Sequence, residues 1–208
     1  DNGNSKELPG DYILKDVNGD GVVNDLDKTP LFWSGSPLIH YGFNVEASWK
    51  NFDFYALFQG SALYTVQFDE VYAKMLCFKG GNTPEYFYDR WHLSDPYDAN
   101  SEWIPGEWPA IRLEQDMGSF YTRDSQIWRK NASYLRLKTI EIGYTFSPRL
   151  MHKLGIGSLR IYANGNNLFT VCDPFVKAFD PEKIEGDYSA GLNYPLNKSF
   201  NFGLTLNF

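Results

Sequence analysis

The sequence predicts an all-β fold, in which antiparallel strands form part of a transmembrane β-barrel with long extracellular loops. Three observations favour this fold. Several stretches of about ten residues alternate apolar and polar side chains, as strands with one lipid-facing side do. The connections between these stretches are alternately long and short. No apolar run approaches the ~20 residues that a membrane-spanning helix needs.

The composition agrees with a barrel segment and excludes one class of partner. Aromatic residues make up 17% of the 208 residues and hydrophobic residues 43%, so an ordered chain is expected. The net charge of −7 argues against nucleic acid as a partner. Cys77 and Cys172 are too few for a disulfide framework, and either a single pair or two free thiols fits the sequence.

The last predicted strand is 199–208, with the sequence SFNFGLTLNF. Its even-numbered positions are apolar and its odd-numbered positions are small or polar, so one face is apolar and the other polar. At a tilt near 45°, ten residues rise roughly 23 Å, close to the height of the apolar band of an outer-membrane barrel. An amphipathic edge strand of a soluble sheet is the alternative.

A hairpin is predicted over 40–60. The segment from His40 to Lys50 alternates throughout, and a tight connection at Asn51 leads to a second strand that begins at Phe52. Glu46 lies on the polar side of the first strand, where a core covered on both faces would not tolerate a carboxylate.

Two further strands are predicted within 134–168. The first, Tyr134–Phe146, has a phase slip, because Leu137 and Ile140 fall on opposite faces of a regular strand. Either a bulge lies near Thr139 or the strand leaves the apolar zone there. The second runs from Ser158 to Leu168.

The connections follow one parity. If the chain ends on the periplasmic side, the long segments 1–39, 61–133 and 169–198 are all extracellular, and the short links near Asn51 and at 147–157 are periplasmic. Five strands cannot close a membrane barrel, which needs at least about eight. The chain is therefore predicted to be part of a larger barrel in the bacterial outer membrane.

Several motifs in this order carry a family resemblance. They include YGFNVEASWKNFDFYALFQGSA (41–62), YDRW (88–91), YLRLKTIEIGYTF (134–146), LRIYANGNNLFT (159–170), DPE (180–182) and YPLNKSFNFGLTLNF (194–208). Together with GDYILKDVNGDGVVNDLDKTP (10–30), they resemble the C-terminal portion of SusC/RagA-type TonB-dependent outer-membrane transporters.

The resemblance implies a function and a set of partners. It implies a barrel of about 22 strands with an N-terminal plug that is not present in these residues, energised by TonB through that missing part. It also implies a SusD-like surface lipoprotein as a partner, oligosaccharide or peptide cargo, and outer-membrane lipid around the wall. By analogy with such tails, Phe208 would serve as an assembly signal, and Trp91 in the DRW stretch would be structural.

A calcium loop is predicted near the start of the chain. Its candidate ligands have the spacing of positions 1, 3, 5, 7 and 12 of such loops, and they are Asp16, Asn18, Asp20, Val22 and Asp27. Gly21 allows the sharp bend, and Val22 would contribute its backbone carbonyl. Asp27 replaces the usual glutamate with a shorter side chain, so an Asp/Asn/Gly turn without metal is the alternative. We expect Ca²⁺ to stabilise a surface loop.

Aromatic residues of the longest connection are candidates for ligand contact. Trp103, Trp108, Tyr86 and Tyr121 could stack on sugar rings or on a peptide. The alternative, which we favour, is that they pack this connection against itself or against a partner.

No catalytic set emerges, so an enzyme is not predicted. His40, His92 and His152 lack zinc-ligand spacing, and no nucleophile elbow, P-loop or dinucleotide motif is present. Asn44, Glu46 and Asp53, together with His40, are candidates for lining a channel.

The leading hypothesis is a TonB-dependent importer of oligosaccharides, with a peptide importer of the same family as the alternative. A secreted calcium-dependent carbohydrate-binding β-module is a second class, and a dockerin-like adhesion module is a weaker third. The hypotheses differ on whether Phe43, Ile142, Ile161 and Phe202 face lipid or converge in a dry core.

Overall fold

The computed structural model describes residues 8–30, 32–67, 85–110, 126–177, 179–183 and 194–208. Nine strands are present in this part of the chain: β1 (Ile39–Trp49), β2 (Phe52–Ala62), β3 (Thr65–Gln67), β4 (His92–Leu93), β5 (Trp103–Ile104), β6 (Arg129–Asn131), β7 (Tyr134–Thr145), β8 (Ser158–Val171) and β9 (Ser199–Asn207). The helices are short: α1 (Pro148–Lys153), α2 (Pro174–Lys177), and 3-10 turns at Asp25–Asp27, Glu85–Tyr88 and Pro181–Lys183. No described helix is long and apolar enough to cross a membrane.

The five long strands form one antiparallel sheet in the order β1-β2-β7-β8-β9. This confirms the predicted all-β, antiparallel class. β1 and β2 are joined by two residues, Lys50 and Asn51, and Lys50 has φ of 56°. The link from β7 to β8 contains α1, and the other connections between the long strands are far longer.

The register aligns side chains of one kind across all five strands. One row consists of Ala47, Phe54, Ile142, Ala163 and Phe202. The adjacent row, on the opposite face, consists of Glu46, Tyr55, Glu141, Asn164 and Asn201. Because alternate residues of a strand point to opposite faces, the sheet has an apolar face and a polar face.

A bulge in β7 explains the phase slip in its sequence. Leu57 of β2 pairs with Thr139, whereas the next residue, Phe58, pairs with Leu137, so Lys138 is left out of the pairing. The extra residue returns Leu137 to the face that Ile140 occupies. Of the two explanations open at the sequence level, the bulge is the one observed.

The chain divides into two compact units, which are described separately. The first comprises 1–31 and 68–128 and contains the β4–β5 hairpin and a bridge between Arg90 and Trp108. Phe87 and Trp128 are buried in it. The second comprises 32–67 and 129–208 and contains the five-stranded sheet and the β3–β6 pair.

The apolar face of the sheet is open. The exposed fraction is 49% for Phe43, 53% for Ile142, 45% for Ile161 and 85% for Phe202. These side chains therefore do not converge in a dry centre, as a soluble β-module would require. Many buried residues of the second unit lie instead where the long connections leave the sheet, and these include Tyr64, Val66, Ala132, Arg136 and Val176. Two others, Ala56 in β2 and Met151 in α1, are buried elsewhere.

Candidate functional site

The polar face of the sheet carries a continuous chain of hydrogen bonds. Asn201 Nδ2 donates to Asn164 Oδ1 over 2.8 Å, and Asn164 Nδ2 donates to Glu141 Oε2 over 3.3 Å. Arg160 Nη2 donates to Glu141 Oε1 over 2.8 Å and also pairs with the carboxylate of Asp53. Four strands are thus linked through side chains alone.

Gly143 makes the central ion pair of this network possible. A Cβ atom at Gly143 would lie 2.4 Å from Arg160 Nη2 and 2.5 Å from Asp53 Oδ2. Any side chain there would occupy the space in which the guanidinium and the carboxylate meet. The pair crosses β7 because β7 has no side chain at this position.

The predicted channel-lining residues all lie on the polar face, but only one joins the network. Asp53 is the partner of Arg160. Asn44 Nδ2 donates to Glu46 Oε1 over 2.8 Å within β1, and His40 Nδ1 lies 2.9 Å from Ser61 Oγ. Arg160 and Glu141 were not predicted from the sequence, because their pairing depends on a strand register that a linear pattern does not show.

A second polar cluster lies at the opposite end of the same face, and its central pair, Arg136 and Asp180, is buried. Arg136 donates to Asp180 over 2.5 Å and to Glu182 over 2.7 Å. Lys138, the bulge residue, donates to the other oxygen of Glu182 over 2.5 Å. Arg136 Nε also donates to Thr170 Oγ1 over 2.8 Å.

The side chains of Arg136 and Asp180 are only 4% and 5% exposed. Burial raises the pKa of the Asp180 carboxyl, but hydrogen bonds from Arg136 and from two backbone N–H groups outweigh burial and hold that pKa below its ordinary value. Two features of the sequence pointed to this cluster. One is the DPE motif at 180–182. The other is Arg136, which lies between two leucines, because a buried charge requires a partner.

The predicted calcium loop is a tight turn held by its own hydrogen bonds. Asp16 accepts from the N–H groups of Gly19 and Gly21 over 2.7 and 2.8 Å, and these glycines have φ of 79° and 84°. Asp27 accepts from Asn24 N over 2.7 Å and from Val17 N over 2.8 Å. The hydrogen bonds from Asn24 and Val17 lower the pKa of Asp27.

The fit of this loop to calcium is partial. Three carboxylates, an amide oxygen and a backbone carbonyl are donors that suit a hard cation. Among the described residues, however, no group of three or more acidic, histidine or cysteine side chains is placed to hold a metal ion. The carboxylates of Asp16 and Asp27 bind backbone N–H groups of the turn instead. Calcium binding therefore stays a prediction.

The candidate aromatic residues separate in the structure. Tyr86 and Trp108 lie in one cluster, with ring centroids 4.8 Å apart, and Trp108 stacks on Trp128 at 5.5 Å. Trp103 lies in β5, where it pairs with Leu93. Tyr121 falls outside the described residues. Tyr86 and Trp108 therefore pack against aromatic rings of their own chain, which is the interpretation favoured above.

Phe208, the predicted assembly signal, and Cys172 both lie directly after a long strand. Phe208 follows the last residue of β9 and is 95% exposed. Cys172 directly follows β8, and burial raises the pKa of its thiol. Cys77 lies outside the described residues, so whether it forms a disulfide with Cys172 or both are free thiols is not tested.

Comparison with known sequences finds relatives of a single kind. No family model matches the chain. The chain is 27% identical over 208 residues to TonB-dependent receptor P3 of Formosa agariphila and 28% identical over 214 residues to TonB-dependent receptor P26 of the same organism. The alignments cover 96% and 97% of this chain but only 19% and 20% of those receptors. The chain thus spans about a fifth of the length of these relatives.

Comparison with solved structures also finds similarity to an importer. The chain matches the RagAB peptide importer in its open-open and closed-closed states, each with a TM-score of 0.63 and 25% identity. Each match covers 95% of this chain and 20% or 21% of the solved chain.

Proposed function

We propose that this chain, which is related over nearly its whole length to SusC/RagA-type TonB-dependent receptors, forms part of the wall and outer loops of an outer-membrane importer. The observation that carries the proposal is the two-faced sheet. Its apolar face is exposed and its polar face is hydrogen-bonded across strands. A barrel wall between lipid and a watery bore requires both properties.

The apolar face then contacts outer-membrane lipid and the polar face lines the bore. Within the part of the chain that the structure describes, β1 and β9 are the edges of the sheet, and each can pair with a further strand of a larger barrel. The connections 1–39, 61–133 and 169–198 are then extracellular. The relatives are named as receptors and importers, which agrees with the expectation of a non-enzyme.

Adjacent residues of β9 provide a direct test of this orientation. In a full-length receptor with serine at positions 77 and 172, we would introduce Phe202→Cys or, as the matched control, Asn201→Cys. We expect a fluorophore on residue 202 to be quenched by brominated acyl chains, and residue 201 to react with a charged, water-soluble thiol reagent. Both residues reacting with the charged reagent, with no quenching, would support the secreted β-module instead.

Oligosaccharides are the proposed cargo, and peptides are the second candidate. The similarity to the RagAB peptide importer is the specific observation that favours peptides. The half-buried aromatic side chains of Tyr86, Trp103 and Trp108 suit either cargo, because both sugar rings and peptide side chains stack on them. Calorimetry of the full-length receptor with defined oligosaccharides and with peptide mixtures distinguishes the two.

A surface lipoprotein of the SusD type and TonB are the proposed partners. The matched structures are of RagAB complexes, and the sequence relatives are named TonB-dependent. TonB would act through parts of the receptor outside this chain. Affinity purification of the tagged receptor from outer membranes should recover a lipoprotein in about equal amount, and recovery of the receptor alone would contradict this partnership.

We also propose that the turn from Asp16 to Asp27 binds Ca²⁺ as a surface staple. Loops of this kind on extracellular modules bind at about 10⁻⁴–10⁻³ M. Chelation should then speed proteolysis within residues 10–30, and a variant carrying Asp16→Ala and Asp20→Ala should be cleaved quickly with or without calcium. Asp98→Ala, an acidic loop substitution elsewhere, is the control. If chelation leaves the cleavage rate unchanged, the turn does not bind calcium and the proposal is wrong.

A further inference from the structure

The roots of the three long connections meet beside the sheet in one cluster with a buried centre, which we call the collar. It consists of Trp33, Ser34, Tyr64, Thr65, Ala132, Arg136, Asp180, Pro181, Glu182 and Leu196. Thr65 is 2% exposed, Tyr64 is 3% exposed and Ala132 is fully buried. Every link described below lies within the second structural unit.

Thr65 fixes the root of the first connection to that of the second. Its N–H donates to the carbonyl of Ser34 over 3.1 Å, and its hydroxyl donates to the carbonyl of Trp33 over 2.6 Å. The preceding residue, Tyr64, accepts from the N–H of Ala132 over 3.1 Å through its carbonyl. Both ends of the second connection are therefore held at the same place.

The hydroxyl of Tyr64 fixes the second connection to the third. It donates to the carbonyl of Pro181 over 3.0 Å, and the two residues are 117 positions apart in the chain. Burial raises the pKa of Tyr64, so its hydroxyl stays protonated as a donor. A single O–H group thus joins two segments that are remote in sequence.

Asp180 holds the two ends of the third connection together. Its carboxylate accepts from Arg136, from the N–H of Glu182 over 3.1 Å and from the N–H of Leu196 over 2.7 Å. Asp180 also has φ of 65°, a left-handed conformation that is unfavourable for a residue other than glycine. Such a conformation persists only where surrounding contacts enforce it.

We propose that the collar is a coupling device that makes the roots of the three connections open together. The Tyr64–Pro181 and Arg136–Asp180 bonds are buried, and the bonds made by the Thr65 hydroxyl, Glu182 and Leu196 are partly buried. A group in the buried part that loses its partner cannot readily exchange that partner for water. Movement of Pro181 removes the acceptor of Tyr64, and displacement of Tyr64 disturbs the adjacent Thr65, which holds Ser34. Loosening any one root thus raises the probability that the other two are open. This inference does not depend on what the receptor transports.

Hydrogen exchange measured by mass spectrometry on the full-length receptor tests the coupling. Tyr64→Phe removes one hydroxyl and leaves the ring, so the variant should fold. Loss of one such hydrogen bond should accelerate exchange by about two- to tenfold. We expect this acceleration both at the N–H of Thr65 and at the N–H of Leu196, although these residues are far apart in sequence.

Tyr41→Phe is the matched control. The Tyr41 hydroxyl also donates to a backbone carbonyl, that of Tyr134, over 2.7 Å, but it joins β1 to β7 outside the collar. This variant should leave exchange at Thr65 and Leu196 unchanged. If Tyr64→Phe accelerates exchange at Thr65 alone, or if both variants act alike, the three connections are independent and the proposal is wrong.

Asp180→Asn tests the device from the opposite side. It should accelerate exchange at Leu196 and also at Thr65, which Asp180 does not contact in any hydrogen bond described above. Asp53→Asn, which weakens an ion pair within the sheet, should change neither position. An effect of Asp180→Asn confined to residues 180–196 would contradict the coupling.

Discussion

The middle of the five-stranded sheet and the collar differ in how far their side chains are buried and paired. In the middle, apolar residues such as Ile142 and Phe202 are 53% and 85% exposed, and the opposite face carries only partly exposed ion pairs. In the collar, the side chains of Arg136 and Asp180 are 4% and 5% exposed and fully paired. The collar is stabilised by contacts within this chain, whereas the proposed function implies that lipid and further strands complete the surroundings of the sheet.

Breaking the buried pair of the collar should have the largest effect. Arg136→Met would leave Asp180 as an uncompensated buried charge, which typically costs about 3–5 kcal/mol. Chemical unfolding of the full-length receptor in detergent measures this loss. The double variant with Asp180→Leu should recover part of it, because no lone charge remains. If the loss were below about 1 kcal/mol, the Arg136–Asp180 pair would contribute no more to stability than an exposed ion pair does, and the prediction would be wrong.

A charge on the apolar face should have the next largest effect, but only in a bilayer. Ile142→Lys should cost about 2–4 kcal/mol if the residue lies near the bilayer midplane. Ser48→Lys, on the polar face of the same sheet, should cost little. Folding into lipid vesicles at graded urea concentrations compares the two variants. Equal costs would show that the two faces meet the same surroundings.

A smaller effect is expected at Gly60, within the sheet. At Gly60, a Cβ atom would lie 2.3 Å from the carbonyl oxygen of Tyr134 and 2.4 Å from the ring of Tyr41. Gly60→Ala should therefore destabilise the receptor by roughly 1–3 kcal/mol. Gly42→Ala is the comparison and should cost less, because its Cβ would lie 3.3 Å from the Phe58 carbonyl oxygen, a tight contact that a much smaller shift relieves. Thermal unfolding of the two variants gives the comparison.

The smallest effect should come from the ion pair within the sheet. The side chains of Arg160 and Asp53 are 29% and 38% exposed, so Asp53→Asn should cost about 1 kcal/mol or less. The cost should fall further in high salt, because exposed charges are screened. A loss as large as that of Arg136→Met would remove the contrast between the two regions.

The sheet could be predicted from sequence because its information is local. Alternation over ten residues specifies a strand and its two faces, as in 199–208 and in β1. The bulge at Lys138 was one of two explanations, since a phase slip alone does not distinguish a bulge from a change of surroundings. Register completed the prediction by aligning Ile142 with Phe54 and Ala163.

The pairings within the collar could not be predicted, because the partners are far apart in sequence. Arg136 and Asp180 are 44 residues apart, and Tyr64 and Pro181 are 117 apart. Nothing in the residues near Arg136 indicates which acid neutralises it. The aromatic candidates show the same limit, because the sequence identified Trp108 and Tyr86 as suited to stacking but not that they stack within one cluster.

The β7 bulge has a consequence for how the length of this strand can vary. Elsewhere in a strand, gaining or losing one residue exchanges every side chain beyond that point between the two faces. Lys138 is the residue left out of the ladder, so deleting it would keep Leu137 and Ile140 on one face and Arg136 and Thr139 on the other. Lys138 is therefore a position at which a single-residue deletion would preserve the two faces of the strand, although it would remove the second cation that binds Glu182.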